Sequence, residues 1–181
     1  RSIPNLNTFR PADGNEVSAA YRVALTMPTT PSLLILTRQN VKSITPALGS
    51  GSVRHPAERG GYVLKEASAE AKLTLVGTGS ELNLCLEAAS VLESEGIPTR
   101  VVSLPSWFLF EKQDAAYRAS VLPKSVPTLS VEAGSSFGWA KYAHEHVAVD
   151  TFGVSGPADV LFKEFGFTVE NVVNRAKSLL S

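Results

Sequence analysis

Leu73-Thr74-Leu75-Val76-Gly77-Thr78-Gly79, with the segment that follows it to Pro105, decides the fold. Residues 73–76 form an apolar run of strand length that the two glycines end. A second, β-branched run from Thr99 to Leu104 is stopped by Pro105. Between the runs, apolar residues recur at helical spacing, and Gly96 stands where a glycine commonly ends a helix. Two strands joined by a helix predict a parallel pair with the helix on one sheet face. The apolar helical positions are Leu82, Cys85, Leu86, Ala89 and Leu92.

The turn that contains Gly77 and Gly79 could be a nucleotide site or a simple connection. A dinucleotide fingerprint needs a third glycine three residues after Gly79, where Leu82 stands, and no Gly-Lys-Ser or Gly-Lys-Thr opens the helix. A tight turn with Ser80 as the helix cap fits the pattern best. An anion bound at the helix N-terminus stays an alternative.

A second β-α-β pattern precedes this unit. A weak strand pattern from Ile3 to Phe9 is followed by Asp13 and Glu16, which match a capping box. The predicted helix places Val17, Ala20, Tyr21 and Ala24 on one face. The run from Ser32 to Thr37 is apolar on both alternations, which is typical of a strand buried on both faces. Residues 1 to about 42 therefore predict the remnant of another α/β domain, and the chain is expected to be a C-terminal fragment.

The composition changes between residues 43 and 61, where Gly49 to Ser52 and two prolines predict a linker. The resulting boundaries are residues 1–58 for the first domain's tail plus linker and residues 59–181 for the second domain. For the second domain the pattern predicts an edge strand at 60–64, a helix at 112–122, a strand at 127–132 and helices near 157–166 and 168–181. The predicted fold class is α/β: a mostly parallel mixed sheet with helices on both faces, preceded by the β-α-β remnant.

The composition excludes several classes of function. The 181 residues are 44% hydrophobic and 19% charged, with no formal net charge. Nucleic-acid binding usually shows as a basic excess, and a bilayer span needs about 20 apolar residues in a row. Neither is present, so no nucleic-acid or membrane partner is expected. A single cysteine allows no internal disulfide, which fits a reducing, cytoplasmic setting.

Few side chains stand out as chemical groups. Arg38 follows the apolar run that ends at Thr37, and ligands of open parallel sheets sit at the carboxyl ends of strands. Its planar donors suit phosphate or carboxylate, although an ion pair is an equal alternative. Cys85 lies on an apolar helix face and is interpreted as a core residue. His144 and His146 lack a third ligand at a familiar spacing, so no metal site is predicted, and His55 is interpreted as solvated.

Two groups of motifs resemble the transketolase family, in the order in which that family has them. Residues 10–17, Arg-Pro-Ala-Asp-Gly-Asn-Glu-Val, and residues 36–40, Leu-Thr-Arg-Gln-Asn, resemble the end of its pyrimidine-binding domain. The stretches 60–64, 78–81, 101–105 and 152–156 resemble its C-terminal domain, so the likeness covers nearly the whole chain.

The resemblance implies a fragment of an enzyme that uses thiamine diphosphate with Mg or Ca to transfer a two-carbon ketol unit between sugar phosphates. It further implies Arg38 as the ligand of the sugar phosphate, a homodimer, and the rest of the transketolase chain as a partner. No catalytic, cofactor-binding or metal residue is carried over to this chain, because the matching motifs lie upstream. The isolated chain is therefore expected to be inactive. A fragment of a dihydroxyacetone synthase and a non-catalytic assembly or regulatory domain remain alternatives.

Overall fold

The computed structural model describes residues 1–47 and 54–181, so that the predicted linker segment Gly49 to Ser52 lies outside the described residues. The strands are β1 (Asn7–Phe9), β2 (Ser32–Leu34), β3 (Tyr62–Lys65), β4 (Leu73–Gly77), β5 (Thr99–Ser103), β6 (Thr128–Val131) and β7 (Glu145–Val147). The α-helices are α1 (Gly14–Thr26), α2 (Glu81–Ser94), α3 (Trp107–Glu111), α4 (Ala115–Val121), α5 (Ala158–Glu164) and α6 (Val169–Leu180).

A five-stranded sheet in the order β3-β5-β4-β6-β7 forms the centre of the larger unit. β4 pairs in parallel with β5 and β6, β6 pairs in parallel with β7, and only β3 is antiparallel, at the edge beside β5. The predicted β4-α2-β5 unit and the mixed α/β sheet are confirmed. Gly96 ends α2 with φ +78°, which is the left-handed conformation expected of a glycine at that position.

Alternate residues of the central strand β4 point to opposite faces of the sheet and pack in two different hydrophobic cores. Leu75 faces a core shared with α2 and α6, where Leu82 and Val172 are also fully buried. Val76 faces the opposite core, which α3, α4 and the short 3-10 helix Trp139–Lys141 cover. Helices therefore lie on both faces of the sheet, as predicted. Each fully buried aliphatic side chain of this kind stabilises the fold by about 1.5–3 kcal/mol.

The segment after β5 differs from its prediction. The helix expected over residues 112–122 is present in a shorter form as α4, and a second short helix that was not predicted, α3, precedes it. Ser106 and Asp114 each accept a hydrogen bond at a helix start, from Leu109 N and Tyr117 N. Two local caps therefore begin two separate short helices. Phe110 is buried in the core, and Trp107 packs against the same cluster in a partly buried position.

The smaller unit is the predicted β-α-β arrangement, with β1 and β2 paired in parallel. Its second strand is shorter than predicted, and the expectation that it is buried on both faces is wrong. Leu33, Ile35 and Leu36 are 46%, 44% and 50% exposed. Among the described residues β2 pairs only with β1. In so small a sheet the outward-facing side chains of β2 have no described element packed over them.

The two units meet where the strands β4 and β5 end. Arg10, directly after β1, donates its backbone N–H to Pro105 O at 2.8 Å and accepts from Gly79 N at 2.9 Å. Ser106 Oγ donates to Asn7 Oδ1 at 2.7 Å, and both residues are buried. The small unit is therefore held against the carboxyl edge of the larger sheet by backbone as well as side-chain hydrogen bonds.

Candidate functional site

Arg38 lies in the loop that follows β2, four residues beyond the strand's last residue, and it is exposed. The sequence prediction put it directly at a strand end. The strand stops early, so the side chain stands on a loop instead. An exposed guanidinium at the carboxyl side of a parallel strand is suited to bind an anionic ligand through its N–H donors.

Two contacts with α2 hold the loop that carries Arg38. Gln39 Nε2 donates to Ser80 Oγ at 3.1 Å, at the start of α2. Lys42 forms a longer ion pair of 3.6 Å with Glu87 on the same helix. The loop therefore lies across the first turns of α2, above a cavity of about 270 Å³.

Asp13 fixes the far end of the same loop. Its Oδ1 caps α1 by accepting from Asn15 N and Glu16 N, as the sequence predicts. Its Oδ2 accepts from Ile44 N and Thr45 N, both at 2.8 Å, and Oδ1 also accepts from the Thr45 hydroxyl at 2.6 Å. Burial alone raises the pKa of Asp13, but the hydrogen bonds from Thr45, Glu16 and Ile44 outweigh it and lower the pKa. The carboxylate therefore stays ionised and joins helix to loop.

A cluster of charges fills the crevice at the carboxyl ends of β4 and β6. Glu132 accepts from both terminal nitrogens of Arg1, at 2.7 and 2.5 Å, and from Thr78 Oγ at 2.6 Å. Glu81 accepts from Arg10 Nη1 and, at 2.9 Å, from the backbone N–H of Ala133. Burial raises the pKa of Glu132, but Arg1 first, then Thr78 and Arg10, lower it below its usual value. Both carboxylates are paired with guanidinium groups.

Glu16 is a second buried carboxyl group at the junction of the units. Its Oε1 accepts from Ser103 Oγ at 2.5 Å and from Tyr62 OH at 3.0 Å, and its Oε2 accepts from Ala12 N at 2.8 Å. Burial is the largest influence, and it raises the pKa of Glu16 to about 7. The capping-box prediction is thus modified: the side chain reaches Ala12 N instead of Asp13 N, and turns into the core.

The helix face of α1 is also rotated from its prediction. Glu16, Ala19, Ala20 and Val23 are the buried residues, whereas Tyr21 is 52% exposed. Helical periodicity assigned the buried face of α1 from its apolar residues alone. It could not show that Glu16 accepts hydrogen bonds from three donors inside the protein. A buried carboxyl is stable when its lone pairs are occupied in this way.

The Gly77-Thr78-Gly79 turn does not form an anion site. Two carboxylates, Glu81 and Glu132, face it, and they would repel a phosphate. Ser80 makes no capping hydrogen bond, and its hydroxyl donates to Glu81 Oε1 at 2.6 Å. The prediction of Ser80 as a side-chain cap is wrong, because Glu81 competes for its hydroxyl. Because Glu81 and Glu132 line it, the crevice also does not fit the diphosphate of thiamine diphosphate.

The three histidines have structural partners. His55 is only 2% exposed, so the prediction of a solvated side chain is wrong: its Nε2 contacts Pro46 O at 2.9 Å, and its Nδ1 accepts from Ala57 N. His144 Nδ1 accepts from Thr128 N at 3.0 Å, and His146 Nδ1 pairs with Ser130 Oγ at 2.8 Å. Within residues 1–47 and 54–181, no three metal-ligating side chains come together.

Cys85, on the inner face of α2, is fully buried in the core, as predicted. Burial raises the pKa of the Cys85 thiol well above its usual value, so the thiolate is disfavoured. The described part of the chain also contains no helix that combines the length and the apolar character needed to cross a bilayer.

Sequence reasoning predicted the capping role of Asp13 and proposed Arg38 as a phosphate ligand, but missed the buried charges that join the units. Arg10, Glu16, Glu81 and Glu132 all adjoin apolar runs or helix starts. A charged residue at the end of a buried strand, such as Glu132 after β6, is the signal that could have indicated them.

Comparisons with known proteins agree on one family. Residues 60–168 match the family described as "Transketolase-like TK C-terminal domain". A probable transketolase of Schizosaccharomyces pombe is 50% identical over 178 residues, which is 98% of this chain and 25% of that protein. Transketolase 1 of Saccharomyces cerevisiae is 48% identical over 181 residues, which is 100% of this chain and 26% of that protein. The chain thus spans about a quarter of the length of these curated relatives.

Solved structures show the same likeness. A Pichia stipitis transketolase in complex with sedoheptulose-7-phosphate has a TM-score of 0.90 and 45% identity, covering 99% of this chain and 26% of its own. A more distant match, an inactive β4 tetramer of a split-gene transketolase, has a TM-score of 0.72 and 27% identity, covering 99% of this chain and 58% of its own.

Proposed function

The chain belongs to the transketolase C-terminal domain family, and on that premise we propose that it is the C-terminal part of a thiamine-diphosphate-dependent transketolase. The whole-length similarity to transketolases carries this proposal. The parent enzyme transfers a two-carbon ketol unit between sugar phosphates, and thiamine diphosphate supplies the carbon nucleophile in such chemistry. In this proposal residues 1–58 are the tail of the pyrimidine-binding domain plus a linker, and residues 59–181 are the C-terminal domain.

The cofactor itself is assigned to the parent's other residues. The described residues bring no set of three metal ligands together, and the crevice between β4 and β6 is lined by carboxylates. Thiamine diphosphate and its Mg or Ca are therefore proposed to bind upstream parts of a homodimeric, cytoplasmic parent. No chemical step is assigned to a residue of this chain.

Arg38 is the residue of this chain proposed to contact substrate. Its guanidinium is exposed at the carboxyl side of β2, and its loop is fixed at both ends by Asp13 and Gln39. A planar donor fork on a fixed loop can bind a phosphate through two hydrogen bonds. Binding the phosphate far from the reacting carbonyl orients the sugar, and the binding energy gained there contributes to the transition state. One similar transketolase was solved with a sugar phosphate.

A non-catalytic assembly domain is the second candidate, and one observation favours it. The split-gene protein that matches 99% of this chain is an inactive tetramer. In this alternative the chain supplies contacts to partner subunits and no substrate ligand. A dihydroxyacetone synthase fragment shares the motifs of the first proposal and differs in the acceptor aldehyde.

A chimaera tests the substrate role. The matching quarter of the Schizosaccharomyces pombe relative is replaced by this chain, and ketol transfer is measured with a phosphorylated ketose donor and with the unphosphorylated donor hydroxypyruvate. Loss of a charge-assisted hydrogen bond of about 1.5–3 kcal/mol predicts a rise in KM of about 10- to 150-fold for the phosphorylated donor in Arg38→Ala. The KM for hydroxypyruvate stays unchanged.

The matched control is Arg54→Ala, which removes an exposed arginine that forms an ion pair with Glu58 in its own segment. Equal effects of Arg38→Ala on both donors would show that Arg38 does not bind the phosphate. An active chimaera with an unimpaired Arg38→Ala variant would favour the assembly role. Formaldehyde, compared with ribose 5-phosphate as acceptor, separates dihydroxyacetone synthase from transketolase.

The isolated 181-residue chain, with thiamine diphosphate and Mg²⁺ added, is expected to give no ketol transfer above the blank. The assay is run on material shown to be free of host transketolase by mass spectrometry. Turnover by such material would place the active site within this chain and contradict the proposal.

A further inference from the structure

The crevice between β4 and β6 lies where ligands of open α/β sheets usually bind. After β4 the chain crosses through α2 to β5 on one side, and β6 then pairs with the other side of β4. The strand order therefore reverses at β4, and the carboxyl ends of β4 and β6 flank the crevice. Such a switch point is the common ligand position of this fold class.

In this protein the crevice holds the side chain of Arg10. Its Nη1 donates to Thr78 Oγ at 2.8 Å, to Thr78 O at 3.3 Å and to Glu81 Oε2. The Arg10 side chain is 14% exposed and that of Glu81 is fully buried. Glu132 Oε2 lies 4.0 Å from the same nitrogen. The Thr78 hydroxyl donates its proton to Glu132, so that toward Arg10 the hydroxyl, the carbonyl and the two carboxylates all present acceptors, which suits a cation with several N–H donors.

The turn that lines the crevice is shaped for this close approach. Gly79 has φ +56°, and a Cβ at that position would lie 3.1 Å from the guanidinium carbon and Nη1 of Arg10. Gly79 N also donates to Arg10 O, so that side chain and backbone of Arg10 are held by the same turn. The second glycine of a Gly-x-Gly turn lets a phosphate approach the backbone in dinucleotide sites, and here it lets a guanidinium approach.

The lining of the crevice is acidic, whereas the lining of a nucleotide site attracts negatively charged phosphate. Glu81 and Glu132 supply two negative charges, and Arg10 and Arg1 supply two positive ones. Removing Arg10 would leave Glu81 buried with no cation in contact, which is strongly unfavourable. This crevice therefore requires a cation, whereas the nucleotide site at the same position in related α/β folds binds an anionic phosphate.

We propose that the crevice between β4 and β6 is a guanidinium-binding site whose ligand is the chain's own Arg10, and that its occupation fixes the Arg38-bearing segment on the larger sheet. Lysine is a poor substitute, because this side chain is only 14% exposed and an ammonium group, which is more strongly hydrated than a guanidinium, costs more to bury. This inference goes beyond the proposed enzymatic function and does not depend on it.

Chemical rescue tests the site in the full 181-residue chain. Arg10→Ala is expected to lower the thermal midpoint by roughly 6–20 °C, as for a broken buried ion pair in a chain of this length. Methylguanidinium chloride, titrated from 0 to about 50 mM against sodium chloride of equal ionic strength, is expected to raise that midpoint in a saturable manner. The rise expected at saturation is about 3 °C or more, because occupation of a native-state site stabilises by mass action.

Two controls make the test specific. Arg175→Ala removes an arginine that pairs with the half-exposed Glu145 outside the crevice, and its midpoint should not respond to methylguanidinium beyond the salt control. The double variant Arg10→Ala/Glu81→Gln loses the charged acceptor of the crevice and should lose the rescue. A saturable response in either control, or none in Arg10→Ala, would overturn the proposal.

Arg10→Lys covers the possibility that Arg10→Ala does not fold. Its midpoint is expected to lie clearly below that of the unmodified chain, and methylguanidinium should raise it less than in Arg10→Ala. A midpoint equal to that of the unmodified chain would show that the crevice requires only a positive charge, and the guanidinium assignment would be wrong.

Discussion

Glu16→Gln tests the electrostatics of the junction between the units. Glu16 is buried, and its folded-state pKa is raised to about 7 against 4.5 in the unfolded chain. Between these two values the folded protein holds a proton that the unfolded chain has released. Stability from this group is therefore fully present below about pH 4.5 and is lost as the pH rises through 7. The shift corresponds to about 3 kcal/mol.

The hydrogen bonds of Glu16 explain why the neutral form fits. Tyr62 and Ser103 donate to Oε1 through hydroxyl groups, which can equally accept a hydrogen bond, whereas the backbone N–H of Ala12 can only donate to Oε2. A proton on Oε1 is thus accommodated by rotating one hydroxyl. The amide group of glutamine fits in the same way, with its NH₂ toward the hydroxyls and its oxygen toward Ala12.

The assay is urea unfolding followed by the fluorescence of Trp107 and Trp139, from pH 5 to pH 8. We expect Glu16→Gln to gain about 3 kcal/mol relative to the unmodified chain across this range. The pKa values of His55 and His146 are lowered, mainly by burial, so their contribution runs in the opposite direction, but it cancels in the difference between the two proteins.

Glu70→Gln, at an exposed position, is the control and should leave the pH dependence unchanged. Parallel stability curves for the unmodified chain and Glu16→Gln would refute the reasoning, since they would show that Glu16 titrates alike in both states. The carboxylates with lowered pKa, such as Asp13 and Glu132, lose their contribution only as the pH falls below the range measured.

Three further outcomes are expected. Asp13→Ala removes the helix cap and the loop anchor together and should cost about 2–4 kcal/mol in urea unfolding, against about 1 kcal/mol for Asp114→Ala, which loses one cap; equal losses would contradict the anchoring role. Gly60→Ala should cost more than about 2 kcal/mol, because φ is +87° and the new Cβ would lie 2.3 Å from a backbone nitrogen; Gly14→Ala, with open space, should be neutral or stabilising. Cys85 should react with Ellman's reagent only after unfolding, and rapid labelling of the native protein would contradict its burial.

The βαβ unit could be predicted because each of its signals is local. Strand length, helical spacing and the glycine at position 96 all lie within residues 73–105, and the structure has β4, α2 and β5 there. The burial of residues 32–37 could not be predicted, because it depends on which elements cover the strand. The pattern of Leu33 and Ile35 shows what the strand can bury and not what lies against it.

The candidate site likewise contains features that local sequence indicates and features that only distant contacts determine. Arg38 could be singled out from a strand pattern and a known property of parallel sheets, although the strand ends four residues before it. Arg10 contacts Glu81 71 residues away and Glu16 contacts Ser103 87 residues away, whereas the contacts of His55 depend on loop geometry. No periodicity reports such partners. His55 illustrates the physical reason: a histidine in a polar stretch is exposed unless a backbone carbonyl such as that of Pro46 satisfies its ring nitrogen.

The hydrogen bonds between the two units bear on how the protein comes apart. Ser106 with Asn7, and Ser103 with Glu16, join segments about 90 residues apart through buried atoms. Opening the small unit alone would expose these groups on both sides, so its local opening should require nearly the free energy of global unfolding. The backbone amides of α1 are then expected to exchange with deuterium as slowly as those of β4. A boundary visible in the sequence near residue 58 would thus not be a boundary of cooperativity.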